Sequence, residues 1–258
     1  MRAVTLDIDA AAAELHRARL GRTPVRPLSE RVGAWDLDAA YRVQAVGMAL
    51  READGERVVG GKLGFTSAAM RRAMGVASPN YGWLTDAMWL RDGVVALDRF
   101  IHPKVEPEIA FLLGRDLDGA VDVEAVLVAT EAVAPCLEVV DSRYVGFRFG
   151  ALDNIADDSS AGGVALGDPV PLDDIDLRLV GVVVSDGDEV VHTAAGAAAH
   201  GHPAAAVAWM AGAADQPLRA GMWVISGGLT GPVDLTPGAV VTAEFDRLGT
   251  VRVAAEEG

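Results

Sequence analysis

Two carboxylates, Glu106 and Glu108, sit inside the apolar run Lys104-Val105-Glu106-Pro107-Glu108-Ile109-Ala110-Phe111-Leu112-Leu113, and this restricts the chain more than any other feature. The run reads as a half-buried strand. Alternate side chains of a strand share a face, so the two glutamates project together, roughly 6.5–7 Å apart along it. Glu138 occupies a second strand-like run, Cys136-Leu137-Glu138-Val139-Val140. Buried carboxylates are costly unless a cation compensates them. Three oxygen donors with no Cys or His cluster beside them suit a hard ion, Mg²⁺ or Mn²⁺, rather than zinc. The plainer reading is three glutamates on a solvated sheet face, but such a face alternates more cleanly than these apolar flanks do. Pro107 removes a ladder donor between the two glutamates, which predicts an edge strand or a local irregularity where a ligand could approach.

The chain has 258 residues, 51% hydrophobic and 23% charged, enough to bury a full core. Its formal charge of −15 repels nucleic acid and anionic membranes, and no cluster of Lys and Arg relieves it. A small anionic substrate is repelled too, but salt screens that beyond about 8–10 Å, leaving a local cation to dominate inside a pocket. Cys136 is the only cysteine, which excludes an intramolecular disulfide, fits a reducing cytosol and reads as a small core residue. Asp7, Asp9 and Glu14 stand where a signal peptide needs an apolar segment, and His200, His202 and Pro203 break the Ala-rich stretch 194–214. The expectation is a soluble, cytoplasmic protein.

The first 56 residues read as a helical segment. One helix is expected over 7–20, stopping at Gly21 and Pro24, and a second is capped by Asp36 and ended by Gly55. Residues 57–258 read as a β-rich unit. A strand is expected over Val58–Phe65, then a short helix over Ala68–Met74 capped by Ser67 and stopped by Gly75. Pro79-Asn80-Tyr81-Gly82 reads as a turn, and 122–133 as a helix with Asp122 near its start. Val-rich runs over 177–184, 189–193, 222–226 and 239–245 read as strands, interrupted by a helix at about 203–213. Regular strand–helix alternation is lacking, so the fold class is α+β: a helical N-terminal segment joined to a β-rich mixed roll.

Lys62 lies in the apolar strand Val58-Val59-Gly60-Gly61-Lys62-Leu63-Gly64-Phe65, where a lysine either snorkels to solvent or meets an anion. Beside three carboxylates, an anchored substrate anion is the better reading. Arg143, in Asp141-Ser142-Arg143-Tyr144, either pairs with Asp141 or forks onto a substrate carboxylate. Ser159 and Ser160 resemble a cap or turn. His200-Gly201-His202-Pro203 reads as a loop opening a helix, with Pro203 at its first position, rather than as a metal site. His16 reads as a surface residue, and Gly227-Gly228-Leu229-Thr230-Gly231 as a tight turn.

Several long blocks, in order and over nearly the whole chain, resemble the 2-oxo-4-pentenoate hydratase/4-oxalocrotonate decarboxylase family of the fumarylacetoacetate hydrolase superfamily. They are Gly61-Lys62-Leu63-Gly64-Phe65-Thr66-Ser67, Ile101-His102-Pro103-Lys104-Val105-Glu106-Pro107-Glu108-Ile109-Ala110, Leu137-Glu138-Val139-Val140-Asp141-Ser142-Arg143-Tyr144, Ile155-Ala156-Asp157-Asp158-Ser159-Ser160 and Gly201-His202-Pro203. The resemblance implies a β-rich roll and homo-oligomers built from dimers or pentamers. It also implies Glu106, Glu108 and Glu138 as Mg²⁺ or Mn²⁺ ligands, with Lys62 as an active-site lysine. The ion would act as a Lewis acid at the chelating end of a small anionic 2-oxo acid.

Hydratases of that family typically carry an acid in the Pro-Asp-Tyr/Phe-Gly turn, where this chain has Asn80. An amide cannot serve as a carboxylate base, although it could hold a water or a substrate oxygen. Hydration needs a base and decarboxylation does not. The resemblance therefore implies a decarboxylase of a 2-oxo-enedioate such as 4-oxalocrotonate, giving a 2-hydroxydienoate. Lys62, Asn80, Arg143 and Ser160 are its candidate catalytic residues. A 2-hydroxypenta-2,4-dienoate hydratase is the alternative, and a non-catalytic subunit associated with a partner hydratase or decarboxylase is a reading from another class. A C–C bond hydrolase would need a Glu–His pair that the N-terminal segment lacks. Pro107, Asp158 and Gly162-Gly163 depart from the family pattern and bear on the pocket's distal end.

Overall fold

The computed structural model describes residues 5–258, so residues 1–4 of the expected N-terminal segment lie outside the described residues. The chain runs through α1 (Ile8–Gly21), α2 (Leu37–Ala53), β1 (Val58–Gly64), α3 (Ala68–Met74), β2 (Asn80–Thr85), β3 (Val94–Ala96) and β4 (Lys104–Leu113). It continues through α4 (Val123–Ala129), β5 (Thr130–Val140), α5 (Ala151–Ala156), β6 (Ala161–Leu166), β7 (Gly181–Asp186) and β8 (Glu189–Ala195). The last elements are α6 (Pro203–Ala213), β9 (Trp223–Ile225), β10 (Val233–Asp234), β11 (Val240–Phe245) and β12 (Gly249–Glu256).

Two mixed sheets form the β-rich unit. One has the order β2-β1-β9-β4-β5-β6, with β10 on β4, and the other the order β3-β12-β11-β7-β8. Alternation along β4 and β5 decides what each face does. Val105, Ile109, Phe111, Leu113, Val133, Leu137 and Val139 point into the main core, together with Val182, Val184, Val241, Ala243, Val251 and Val253 of the other sheet. The alternate residues Glu106, Glu108 and Glu138 occupy the opposite face, where Ala110, Ala134 and Cys136 join a smaller cluster. The antiparallel register sets Glu106 opposite Glu138 and Glu108 opposite Cys136.

Pro107 corrects one expectation. It is not on an edge strand, since β5 runs along all of β4 on one side, while β9 and β10 pair with its two ends on the other. Between those ends the neighbour is a loop. Ser226 N donates to Ile109 O at 3.1 Å and Leu229 N to Pro107 O at 2.9 Å. The missing N–H of Pro107 faces this interruption, so the irregularity is internal.

The helices follow their sequence signals closely where caps are local. Asp7, Asp36, Ser67 and Asp122 each accept a backbone N–H at a helix start. The helix expected over 122–133 instead gives way at Thr130, where the chain enters β5 with a register shift beside Leu113. Asn80 opens β2 rather than a turn, pairing with Gly64. The N-terminal helices bury Ala11, Ala12, Leu15 and Val43 against Tyr144 and Ala156. Gln44 donates to Tyr81 O at 2.9 Å and Ile155 O at 3.0 Å, tying this layer to both sides of the site. His16 is half-buried, not a free surface residue, and meets Asp54 at 3.0 Å. Among the described residues no helix is long and apolar enough to cross a membrane.

Gly60 sits where β1 meets β9, and a Cβ there would lie 2.1 Å from Trp223 O. Because the obstacle is backbone, Gly60→Ala is expected to cost roughly 1–3 kcal/mol or more. A urea unfolding midpoint unchanged from the parent would contradict this packing.

Candidate metal centre and substrate cavity

The three glutamates converge as the strand register requires. One carboxylate oxygen from each of Glu106, Glu108 and Glu138 lies within 4.8 Å of the others. Glu108 and Glu138 are fully buried, and Glu106 is half-buried on a cavity wall. Gly227 N donates to Glu108 Oε2 at 2.7 Å, which fixes that side chain from the β9–β10 loop. A Cβ on Gly228 would fall 2.5 Å from Glu106 Oε2, so the loop approaches the centre only because glycine is there. The Gly227-Gly228 pair is thus more than the tight turn expected of it; a glycine pair was its only sequence signal.

Lys62 completes the cluster. Its buried ammonium lies 3.2 Å from Glu138 Oε1 and donates to Ser159 O at 2.9 Å and Ser159 Oγ at 3.3 Å. Burial alone would lower its pKa, but the field of Glu138, Glu108 and Glu106 outweighs that and holds it above the ordinary value. The carboxyls respond in the opposite sense. Burial first, then Glu138, pushes Glu106 up to about 7, and burial also raises Glu108 and Glu138.

The donor set fits a divalent ion. Glu108 Oε1 and Glu138 Oε2 are buried oxygens with no hydrogen-bond partner. With all three carboxylates ionised and Lys62 protonated, the cluster carries two excess negative charges, which a divalent cation neutralises. All the donors are oxygen, as Mg²⁺ or Mn²⁺ requires.

Behind Lys62 the chain makes a strained turn. Asp158, Ser159 and Ser160 have φ of 50°, 50° and 58°, three consecutive non-glycine residues in the left-handed region. Trp83 N clamps Asp158 Oδ1 at 2.8 Å, and Gly82 leaves the room, since a Cβ there would meet Asp158 O at 2.6 Å. The turn aims Ser159 O at Lys62. Ser159 Oγ donates to Asn80 Oδ1 (3.1 Å), Asn80 Nδ2 to Asn154 Oδ1 (2.7 Å), and Asn154 Nδ2 to Ser160 Oγ (3.0 Å).

A cavity of about 450 Å³ opens over the centre, lined by Lys62, Glu106, Asn154, Ser159 and Ser160 and by apolar walls from Phe65, Met70, Met74, Phe147, Phe149 and Pro232. Ser160 therefore faces the cavity. Asn80 stands behind that wall, holding Ser159 and Asn154, rather than lining it. Asn154, which the sequence reading missed, does line it.

Arg143 corrects the sequence reading. Its guanidinium pairs with Asp157 and donates to Asp157 O, to Asp141 O at 2.5 Å and to Ala161 O at 2.9 Å. The Asp141 carboxylate instead accepts Ile101 N and His102 N at 3.0 and 2.8 Å. With its donors engaged inside the protein, Arg143 is no fork for a substrate. It braces the 157–161 segment.

Residues 79–254 match the fumarylacetoacetate (FAA) hydrolase C-terminal family. A 2-keto-4-pentenoate hydratase from Paraburkholderia xenovorans is 38% identical over 95% of this chain and 94% of its own. A 4-oxalocrotonate decarboxylase from Pseudomonas sp. is 40% identical over 82% of this chain and 83% of its own. The 4-oxalocrotonate decarboxylase of Pseudomonas putida G7, solved with magnesium and adipate, superposes with a TM-score of 0.94 at 34% identity, covering 98% and 99% of the two chains.

Two predictions follow from the charges. Because the folded-state pKa values of these glutamates are raised, the ion-free protein loses stability as pH rises from 4.5 through about 7. Divalent ions bind only the ionised carboxylates, so the thermal shift produced by Mg²⁺ should grow over that window, to roughly 5–10 °C at a hundredfold excess over Kd. Glu138→Gln should raise the ion-free melting temperature at pH 8 and abolish the shift; a shift that stays constant with pH or survives in the variant contradicts the centre. Arg143→Ala leaves the buried Asp157 carboxylate without its cation, held only by Arg143 N and Ser142 Oγ, and should cost about 3–5 kcal/mol in chemical denaturation. A stable variant altered only in KM would restore the substrate role.

Proposed function

This chain belongs to the fumarylacetoacetate hydrolase C-terminal family, and we propose that it is a divalent-metal-dependent lyase that decarboxylates a 2-oxo-enedioate of the 4-oxalocrotonate type. The observation that carries the reading is the make-up of the cavity. Apart from Glu106, none of the described residues lining it is an Asp, Glu or His. Hydration needs a base that positions and deprotonates water, whereas loss of CO₂ needs a site that accepts charge and keeps water out.

A divalent ion held by Glu106, Glu108 and Glu138 would supply Lewis acidity at the carboxylate and 2-oxo group of the substrate. Lys62, kept protonated by its neighbours, adds positive charge where negative charge accumulates as the distal C–C bond breaks. Ser159 O and Glu138 hold that ammonium in place before the reaction, so little reorganisation is needed. The apolar walls limit water around the departing carboxylate. Asn80 and Asn154 act through Ser159 and Ser160, keeping the polar edge of the cavity rigid.

Hydration of a 2-hydroxypenta-2,4-dienoate is the second reading. It is favoured by relatives named hydratases, including one 39% identical over 95% of this chain. The purified protein with Mg²⁺ or Mn²⁺ is expected to release CO₂ from 4-oxalocrotonate and to leave 2-hydroxypenta-2,4-dienoate unhydrated. Conversion of the latter to a 4-hydroxy-2-oxo acid, without CO₂ release from the former, would replace the first reading with the second. Lewis-acid stabilisation of several kcal/mol makes Glu138→Ala at least roughly 100-fold slower, measured as CO₂ release.

A further inference from the structure

Among the described residues three cations line the cavity, and two of them already have partners. Lys62 is held by Glu138 and Ser159. Lys104 pairs with Asp234 at 2.5 Å, its ammonium 5.4 Å from the centre of the Phe147 ring. Arg148 makes no ion pair and no side-chain hydrogen bond with any described residue.

Its place is set by the backbone. Gly146 and Phe147 have φ of 66° and 57°, so the chain doubles back just before Arg148. A bulky residue in that region persists only where its surroundings hold it. Here the Phe147 ring packs 5.2 Å from His102 and 5.7 Å from Phe149, and Val145 N is tied to Val25 O at 2.9 Å. The direction from the metal centre is also readable. Glu108, Glu106 and Lys104 follow one another on one face of β4 in steps of roughly 6.5–7 Å, and Lys104 meets the ring next to Arg148. The row therefore leads from the three carboxylates toward the segment that bears Arg148, along a cavity that Arg148 also lines.

Resting on the function proposed above, we infer that Arg148 receives the second carboxylate of the substrate and selects dicarboxylic over monocarboxylic 2-oxo acids. In a chain with a net charge of −15, a dianion needs one local cation that is not already neutralised. A guanidinium offers a paired, planar contact to that carboxylate. It acts before the chemistry. A carboxylate held by Arg148 is stabilised in the ground state, and the CO₂ it becomes is not, so the contact lowers KM without raising kcat.

Calorimetric titration of the Mg²⁺-loaded protein with 2-oxoadipate and 2-oxohexanoate separates the two ends, since these acids share a chain length and a chelating end. Arg148→Gln is expected to weaken the dicarboxylate roughly tenfold or more and to leave the monocarboxylate within about twofold, which also reports an intact fold. Arg148→Lys should recover part of the loss. In turnover, Arg148→Gln should raise KM while kcat holds or rises. Equal weakening of both acids, no weakening of either, or the same selective loss in Lys104→Gln overturns the assignment to Arg148. Wild-type binding that is indifferent to Mg²⁺ for both acids overturns the metal centre instead, and this inference with it.

Discussion

Lys62 and the three glutamates form a buried electrostatic unit from which the rest of the site takes its shape. An ammonium fixed 3.2 Å from Glu138 offsets only one of three carboxylates, and no other described residue supplies a cation within the cluster. The excess has two ways out: protonation, seen in the raised pKa values, or a divalent ion. The same imbalance that raises the glutamate pKa values suits the site to an ion of charge two.

The scaffold meets this demand with backbone more than with side chains. Gly227 N reaches Glu108, Ser159 O reaches Lys62, and Gly82 and Gly228 leave space where a Cβ would collide. Left-handed backbone borders the cavity at Phe65 and in two segments, 146–147 and 158–160, and these two carry Arg148 and Ser159 to it. Both are locked by contacts from other elements, as strained backbone must be.

What could be read from the sequence was local chemistry. Asp36 and Ser67 cap the helices expected of them, Pro203 opens its helix, and the spacing of Glu106 and Glu108 put them on one face. What escaped was settled across long distances. Arg143 prefers Asp157, fourteen positions away, over its neighbour Asp141, whose carboxylate two backbone amides already occupy. Asn80 looked like part of a turn because Pro79 and Gly82 flank it, yet strand pairing with Gly64 overrides that composition. The role of Asn154 depends on a chain of hydrogen bonds through Asn80 and Ser160 that no spacing encodes.

The alternation along β4 and β5 carries one more consequence. Sliding either strand by a single residue would swap its faces and drive glutamates into the layer of Val, Ile, Leu and Phe between the two sheets. Aliphatic side chains alone would penalise such a slip weakly, whereas misplaced anions penalise it heavily. The residues that ready this protein for an ion therefore also proofread the alignment of its central hairpin.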